Sequence, residues 1–304
     1  MPDRASAGLG RRRSQGMPSE FVHLRTHSSY SFLDGASSVD DLVAAAVDLG
    51  HDALALTDTN GLYGAVRFWN AARERGVKPI FGAELRLVDS DPIVLLALDR
   101  SGWTSLCRIV SAAQLAGEKT KPIATFALVA DQPDGLIALS ESDDAETLAR
   151  LREVFGDRLY AELVDRWGPA DIDRCDARAE LATELGIATV VTNDVRYARP
   201  EARRLFDVLR CIDLGITVDE AGKQLAANGE RWLKSEALLR ARLGHHPAAF
   251  ANTRVIADRC DLDLGFGYQR LPGFPAPDGY TAFSFLYSPA PGSGARCRTG
   301  RCPS

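Results

Sequence analysis

Ala53-Leu-Ala-Leu-Thr-Asp-Thr-Asn-Gly-Leu-Tyr-Gly64 is the stretch whose reading decides the fold. Four apolar residues make a run too short for a helix, and polar turn residues follow at once. Helical periodicity then runs from Leu62 to Arg75 and stops at Gly76. Strand, polar turn and helix in that order make a βα unit.

The pattern repeats in both directions. Upstream, residues 21–25 read as a strand. Ser38 then caps a helix with Asp41 as its capping-box partner, and the helix ends at Gly50. Downstream, strands are expected over 78–81 and 84–88 around Gly82, then over 93–98, 136–139, 159–163 and 188–192. Helices are expected between them, the first capped by Ser101 and the others over 145–155 and 171–185. About seven βα units predict an α/β chain with barrel-like closure. After Arg199 the apolar periodicity is helical only, over 201–214, 218–227, 235–243 and 247–260. The expected organisation is a disordered polar leader (1–19), a barrel (20–199), a helical extension (200–264), a Gly/Pro/aromatic linker (265–287) and an irregular tail (288–304). The tail has the composition of translation in a wrong frame.

The 304 residues are 45% hydrophobic and 25% charged, and their net charge is −5. Gripping nucleic acid usually requires a basic surface, so DNA binding is not expected as the work of this segment alone. No run is long and apolar enough to span a bilayer. The cysteines form no C-x-x-C pair, and Cys107, Cys175, Cys211 and Cys260 sit in apolar helical contexts. That usage points to buried thiols in a reducing cytoplasm rather than a disulfide framework.

Four polar residues stand where strands end: His27, Asp58, Glu84 and Asp194. In a parallel barrel the carboxyl ends of the strands share one rim, where active sites are built. One imidazole and three carboxylates there would suit zinc, manganese or iron, and such ions can clamp a phosphate ester. Each residue taken singly reads equally well as a cap or turn. His23 reads as a hydrogen-bonded structural residue, His51 as solvent-facing, and His245-His246-Pro247 as a surface loop. Phe68 and Trp69 read as a helix packing face.

Four stretches carry a family resemblance: residues 21–35, 53–64, Lys78-Pro-Ile-Phe-Gly-Ala-Glu84 and Val191-Thr-Asn-Asp-Val-Arg-Tyr197. In order and spacing they resemble the PHP (polymerase and histidinol phosphatase) domains of bacterial C-family DNA polymerase alpha chains, including error-prone polymerases. The resemblance covers about residues 20–285, and 228–235 and 254–262 resemble the segment that joins such a domain to the polymerase body. It implies a distorted (β/α)7 PHP barrel followed by a helical extension. It also implies a His, Asp and Glu cluster that binds up to three metals in active members. His27, Asp58, Glu84 and Asp194 match that cluster. Three positions depart from it: Arg25 replaces the first His of an H-x-H pair, Thr59 the His of T-D-H, and Arg196 the His of N-D-x-H.

A guanidinium cannot ligate a metal and stays charged at any working pH. Arg25 and Arg196 are therefore expected to repel dications and to pair with Asp58, Glu84 or Asp194. The leading expectation is a catalytically silent PHP module, without cofactor, cut off before the polymerase palm. Its expected partners are the rest of the polymerase chain and a proofreading exonuclease. DNA would be contacted only through the full polymerase, in the cytoplasm, with no membrane. A free-standing phosphoesterase using a divalent metal and a non-functional gene fragment are the competing readings.

Overall fold

The computed structural model describes residues 20–265 and 275–286. The leader (1–19), the tail (288–304) and much of the linker lie outside the described residues. The chain divides into two compact units, residues 1–264 and 265–304. In the second, the described element is a short helix, Ala282–Leu286.

In the first unit, α/β alternation follows the apolar periodicity. The order is α1 (Val39–Asp48), β1 (Ala53–Leu56), α2 (Ala65–Arg75), β2 (Lys78–Leu85), β3 (Ile93–Ala97), α3 (Arg100–Ala116), α4 (Phe126–Ala130), β4 (Leu136–Ser140), α5 (Ala145–Phe155), β5 (Leu159–Val164), α6 (Asp171–Glu184) and β6 (Ala188–Thr192). Ser38 caps α1 by accepting the Asp41 N–H. At α3 the cap is Asp99 rather than Ser101, because its carboxylate accepts from both Ser101 N–H and Gly102 N–H. α2 ends on Gly76 in the left-handed conformation at φ 68°.

The six strands form one sheet in sequence order. β1 and β2 are parallel, as are β4, β5 and β6, but β3 runs antiparallel to both its neighbours. This departs from the expected uniform βα repeat. The link from β2 to β3, residues 86–92, is too short for the dozen or more residues that a parallel crossover needs. β2 is also one strand, where sequence suggested two around Gly82. β3 presses against this point, and a Cβ on Gly82 would lie 2.4 Å from the Leu95 carbonyl oxygen.

Residues 21–25 do not form the expected ladder strand. The segment makes isolated parallel bridges instead, His23 with Leu54 and Thr26 with Val195. The Thr26 N–H donates to Thr57 Oγ1 at 3.0 Å rather than to a neighbouring carbonyl. On one side Ala55 N–H donates to His23 O, and on the other His27 N–H donates to Val195 O at 2.8 Å. The segment thus links β1 to the exit of β6.

Inside the curled sheet, alternate residues meet in one buried cluster: Leu24, Ala55, Ile80, Leu96, Leu139, Tyr160 and Val190, among others. Ile256, Ala257 and Cys260 join them from the extension. That extension comprises α7 (Arg203–Leu214), α8 (Val218–Ala221), α9 (Glu236–Leu243) and α10 (Pro247–Arg259). The helix expected over 218–227 stops at Ala221, because Gly222 turns the backbone to φ 47°. Asn252 donates to Thr189 O, Lys78 donates to Ala257 O, and Thr253 Oγ1 accepts from Val22 N–H. These partners lie at the amino ends of the strands, so α10 seals that end and leaves the carboxyl ends for the polar residues.

The close approach at Gly82 generates a test. Gly82→Ala should cost about 1–3 kcal/mol of unfolding free energy by urea denaturation, since the added methyl meets backbone rather than a flexible side chain. An unchanged midpoint would show that β2 and β3 separate without penalty.

Candidate functional site

Period-two alternation builds the site. Glu84 lies four residues beyond the inward-facing Ile80, Glu162 two beyond Tyr160, and Thr192 and Asp194 two and four beyond Val190. Each stands above the apolar interior at a carboxyl end. Asp194 adopts φ 46°, a left-handed conformation that Asp tolerates better than most side chains.

Arg25 reaches the middle of this layer. Its Nη2 donates to Glu84 Oε2 at 2.8 Å, and its Nε donates to the same oxygen at 3.0 Å. Its Nη1 donates to Glu141 Oε2 at 2.8 Å and Glu162 Oε2 at 3.0 Å. Arg196 donates through Nη1 to Asp34 Oδ2 at 2.7 Å and through Nη2 to Glu84 Oε2 at 3.2 Å. The same Nη2 lies 2.7 Å from Asp194 Oδ1, an ion pair without hydrogen-bond alignment. Arg166 holds Asp194 Oδ2 at 2.9 Å and Glu141 Oε2 at 2.7 Å. Arg231 approaches Asp194 Oδ2 at 3.5 Å. The side chains of Arg25, Arg196, Glu84, Glu162 and Asp194 are at most 4% exposed.

The four sequence-derived candidates do not behave alike. His27, Glu84 and Asp194 converge, with possible ligand atoms all within 4.8 Å of one another. His27 Nε2 is 3.1 Å from Glu84 Oε2 and 3.8 Å from Asp194 Oδ1. Asp58 lies outside that group and, among the described residues, pairs with no arginine, contrary to one expected pairing. It accepts from Ser28 N–H at 2.7 Å, Ser28 Oγ at 2.9 Å and Ser31 Oγ at 2.7 Å, so the 28–31 turn supplies its hydrogen bonds. Thr59 Oγ1 is 3.4 Å from His27 Nδ1, and its N–H donates to Ser31 Oγ. At Asp34, Thr59 and Arg86 the cluster opens to a hollow that Lys119 and Lys121 also line.

Sequence reasoning missed Glu141, Glu162, Asp34, Arg166 and Arg231. A signal existed for Glu162, an acid on the inward parity of an otherwise apolar strand. Glu141 carried a weaker one, directly after the β4 apolar run. Of the remaining three, Asp34 stands on a turn and Arg166 and Arg231 in loops, where polar residues are ordinary.

Electrostatics follow from burial opposed by pairing. Burial works against the charged forms of Glu84 and Asp194, but Arg196 and Arg25 outweigh it and hold both well below the usual carboxylate range. Burial dominates at Glu162 and Asp58 and raises both. Arg25, Arg166 and Arg196 are raised, because the surrounding carboxylates, Asp194 foremost, overcome their desolvation. Arg231 is lowered by burial.

A second buried polar group lies nearer the amino ends. His23 Nε2 and His51 Nε2 both contact the Lys234 carbonyl oxygen, at 2.8 and 3.1 Å. His51 is therefore not solvent-facing as expected, being 5% exposed beneath the extension that carries Lys234. Burial pushes His23 down to about 3.

The PHP domain family matches residues 23–170. The chain is 36% identical over 297 residues to an error-prone DNA polymerase from Symbiobacterium thermophilum, covering 88% of this chain and 27% of that protein. It is 34% identical over 287 residues to a DNA polymerase III subunit alpha from Pseudomonas fluorescens, covering 87% and 24%. Against an error-prone DNA polymerase from Mycobacterium bovis it is 35% identical over 317 residues, covering 95% and 29%. The chain thus spans about a quarter of the length of these relatives. A solved amidohydrolase from Chromobacterium violaceum matches 58% of this chain and 87% of its own, at 18% identity and a TM-score of 0.43.

Two outcomes are expected. Arg25→Met should lower unfolding free energy by about 3–5 kcal/mol in chemical denaturation, because it strands Glu162 without its buried cation and leaves Glu84 to Arg196. Stability should also fall with acid from about pH 6.5. The folded His23 imidazole stays neutral to about 3, so between those values the unfolded chain binds more protons. The slope is up to roughly 1.4 kcal/mol per pH unit. His23→Gln, whose amide can still reach Lys234 O, should flatten that slope, and an unchanged slope would assign it to other groups.

Proposed function

Residues 23–170 of this chain are a PHP domain, and on that premise we propose that the chain is the PHP module of a bacterial DNA polymerase of the polymerase III alpha or error-prone type, serving there as a scaffold rather than as a phosphoesterase. Its work is to present a rigid barrel-like body and helical extension to the remainder of a polymerase chain. A proofreading exonuclease subunit is a candidate partner, and DNA would be met only through the complete polymerase, in the cytoplasm. Similarity to polymerase chains across most of this one supports the reading.

One observation carries the scaffold part. Glu84 Oε2, the oxygen nearest His27 Nε2, already accepts from both Arg25 and Arg196. A dication ligated there would share the space with two fixed guanidiniums and compete for the same lone pairs. Arg25, Thr59 and Arg196 also stand where imidazole ligands would be needed. The residues therefore do not suit a resident divalent metal. A second reading, a free-standing metal-dependent phosphoesterase, draws on the convergence of His27, Glu84 and Asp194.

Hydrolysis of a generic phosphomonoester in Mn²⁺ or Zn²⁺ separates the two. The scaffold reading expects a rate no higher than that of Asp194→Asn. A metal-dependent rate that Asp194→Asn abolishes would replace it with the second reading.

A further inference from the structure

Asp176 stands on α6, and His245 and His246 occupy the turn between α9 and α10. Sequence alone makes the histidine pair an ordinary surface loop, since Asp176 is far away along the chain. The fold brings the three together. His245 Nε2 lies 2.8 Å and His246 Nε2 2.7 Å from one atom, Asp176 Oδ1. The ring centroids are 4.3 Å apart. All three possible ligand atoms fall within 4.8 Å of one another.

The backbone under these side chains is fixed. Cys175, beside Asp176, is buried in one cluster with Leu243, Ala249 and Phe250, which flank the histidine turn. The side chains remain open to solvent, with Asp176 44%, His245 49% and His246 17% exposed. No arginine or lysine is among the described partners of Asp176, unlike Glu84 and Asp194.

We propose that Asp176, His245 and His246 form a binding site for a single zinc ion, which ties α6 to the turn that leads into α10. Two imidazole nitrogens and one carboxylate oxygen are a set that zinc favours over magnesium or calcium. Zinc–ligand distances of about 2.0–2.1 Å in a tetrahedral site place ligand atoms about 3.3 Å apart. Opening the present contacts by about half an ångström would admit the ion, with water completing the shell. Because α10 seals the amino end of the sheet, a bound ion would stabilise the seal by binding the folded state alone. The site does not depend on the reading of the central cluster.

The test uses the full chain, free of any affinity tag and stripped with a chelator, titrated with zinc chloride by calorimetry. The wild type should bind one equivalent, which both the His245→Ala/His246→Ala double variant and Asp176→Asn lose. Zinc should raise the melting temperature of the wild type and leave that of either variant unmoved. The near-isosteric Asp176→Asn carries the test if the double variant fails to fold. No zinc uptake by the wild type, or an equivalent retained by Asp176→Asn together with its thermal shift, would overturn the site.

Discussion

A charge taken out of water must be paired, and at the carboxyl end of this sheet the pairing runs through the Arg25 guanidinium. Glu84, Glu141 and Glu162 accept from it, and Asp194 lies 3.5 Å from its Nε. Strand alternation forces these acids inward. The same parity that buries Ile80, Tyr160 and Val190 presents Glu84, Glu162 and Asp194 farther along the same inward face. The layer can exist only if cations meet it, and Arg25, Arg196 and Arg166 supply them.

Such a network is not a strong source of stability. Desolvating the ions offsets much of their attraction, and a well-packed apolar substitute is often as stable. Removing one partner is a different matter, because the remaining charge stays buried. The arrangement is therefore best understood as fixing geometry. Arg25 belongs to the irregular 21–27 segment, Arg196 to the exit of β6, and Glu84 to the end of β2. Their mutual bonds tie the link between the two sheet edges to the strands it spans. The helical extension is tied in as well, through the Tyr197–Trp232 bridge and the N–H of Arg196 on Arg231 O.

Much of this was legible in the sequence. Short apolar runs bounded by glycine and polar turns located every ladder strand, and His27, Glu84 and Asp194 were recognisable from their places at strand ends. What failed did so for physical reasons. Gly82 looks like a break, yet it is where β3 presses on β2, and only the tertiary pairing reveals that. The reversal of β3 was available from the shortness of residues 86–92. The 21–25 stretch has strand composition, but its Val22 N–H donates to Thr253 Oγ1, and that of the next residue, Thr26, to Thr57 Oγ1. Asp58 was taken up by Ser28 and Ser31, 30 and 27 residues earlier in the chain, a long-range contact that local spacing cannot express. His51 and the pair His245–His246 found their partners more than sixty residues away in the chain, beyond the range of any local pattern.

The central claim is that arginines hold this cluster together in place of metal. Anomalous diffraction from crystals soaked in Mn²⁺ tests it most directly. The account predicts no peak among His27, Glu84 and Asp194, with Arg25 and Arg196 still donating to Glu84 Oε2. A peak within ligand distance of those three side chains, with the guanidiniums displaced, would contradict it.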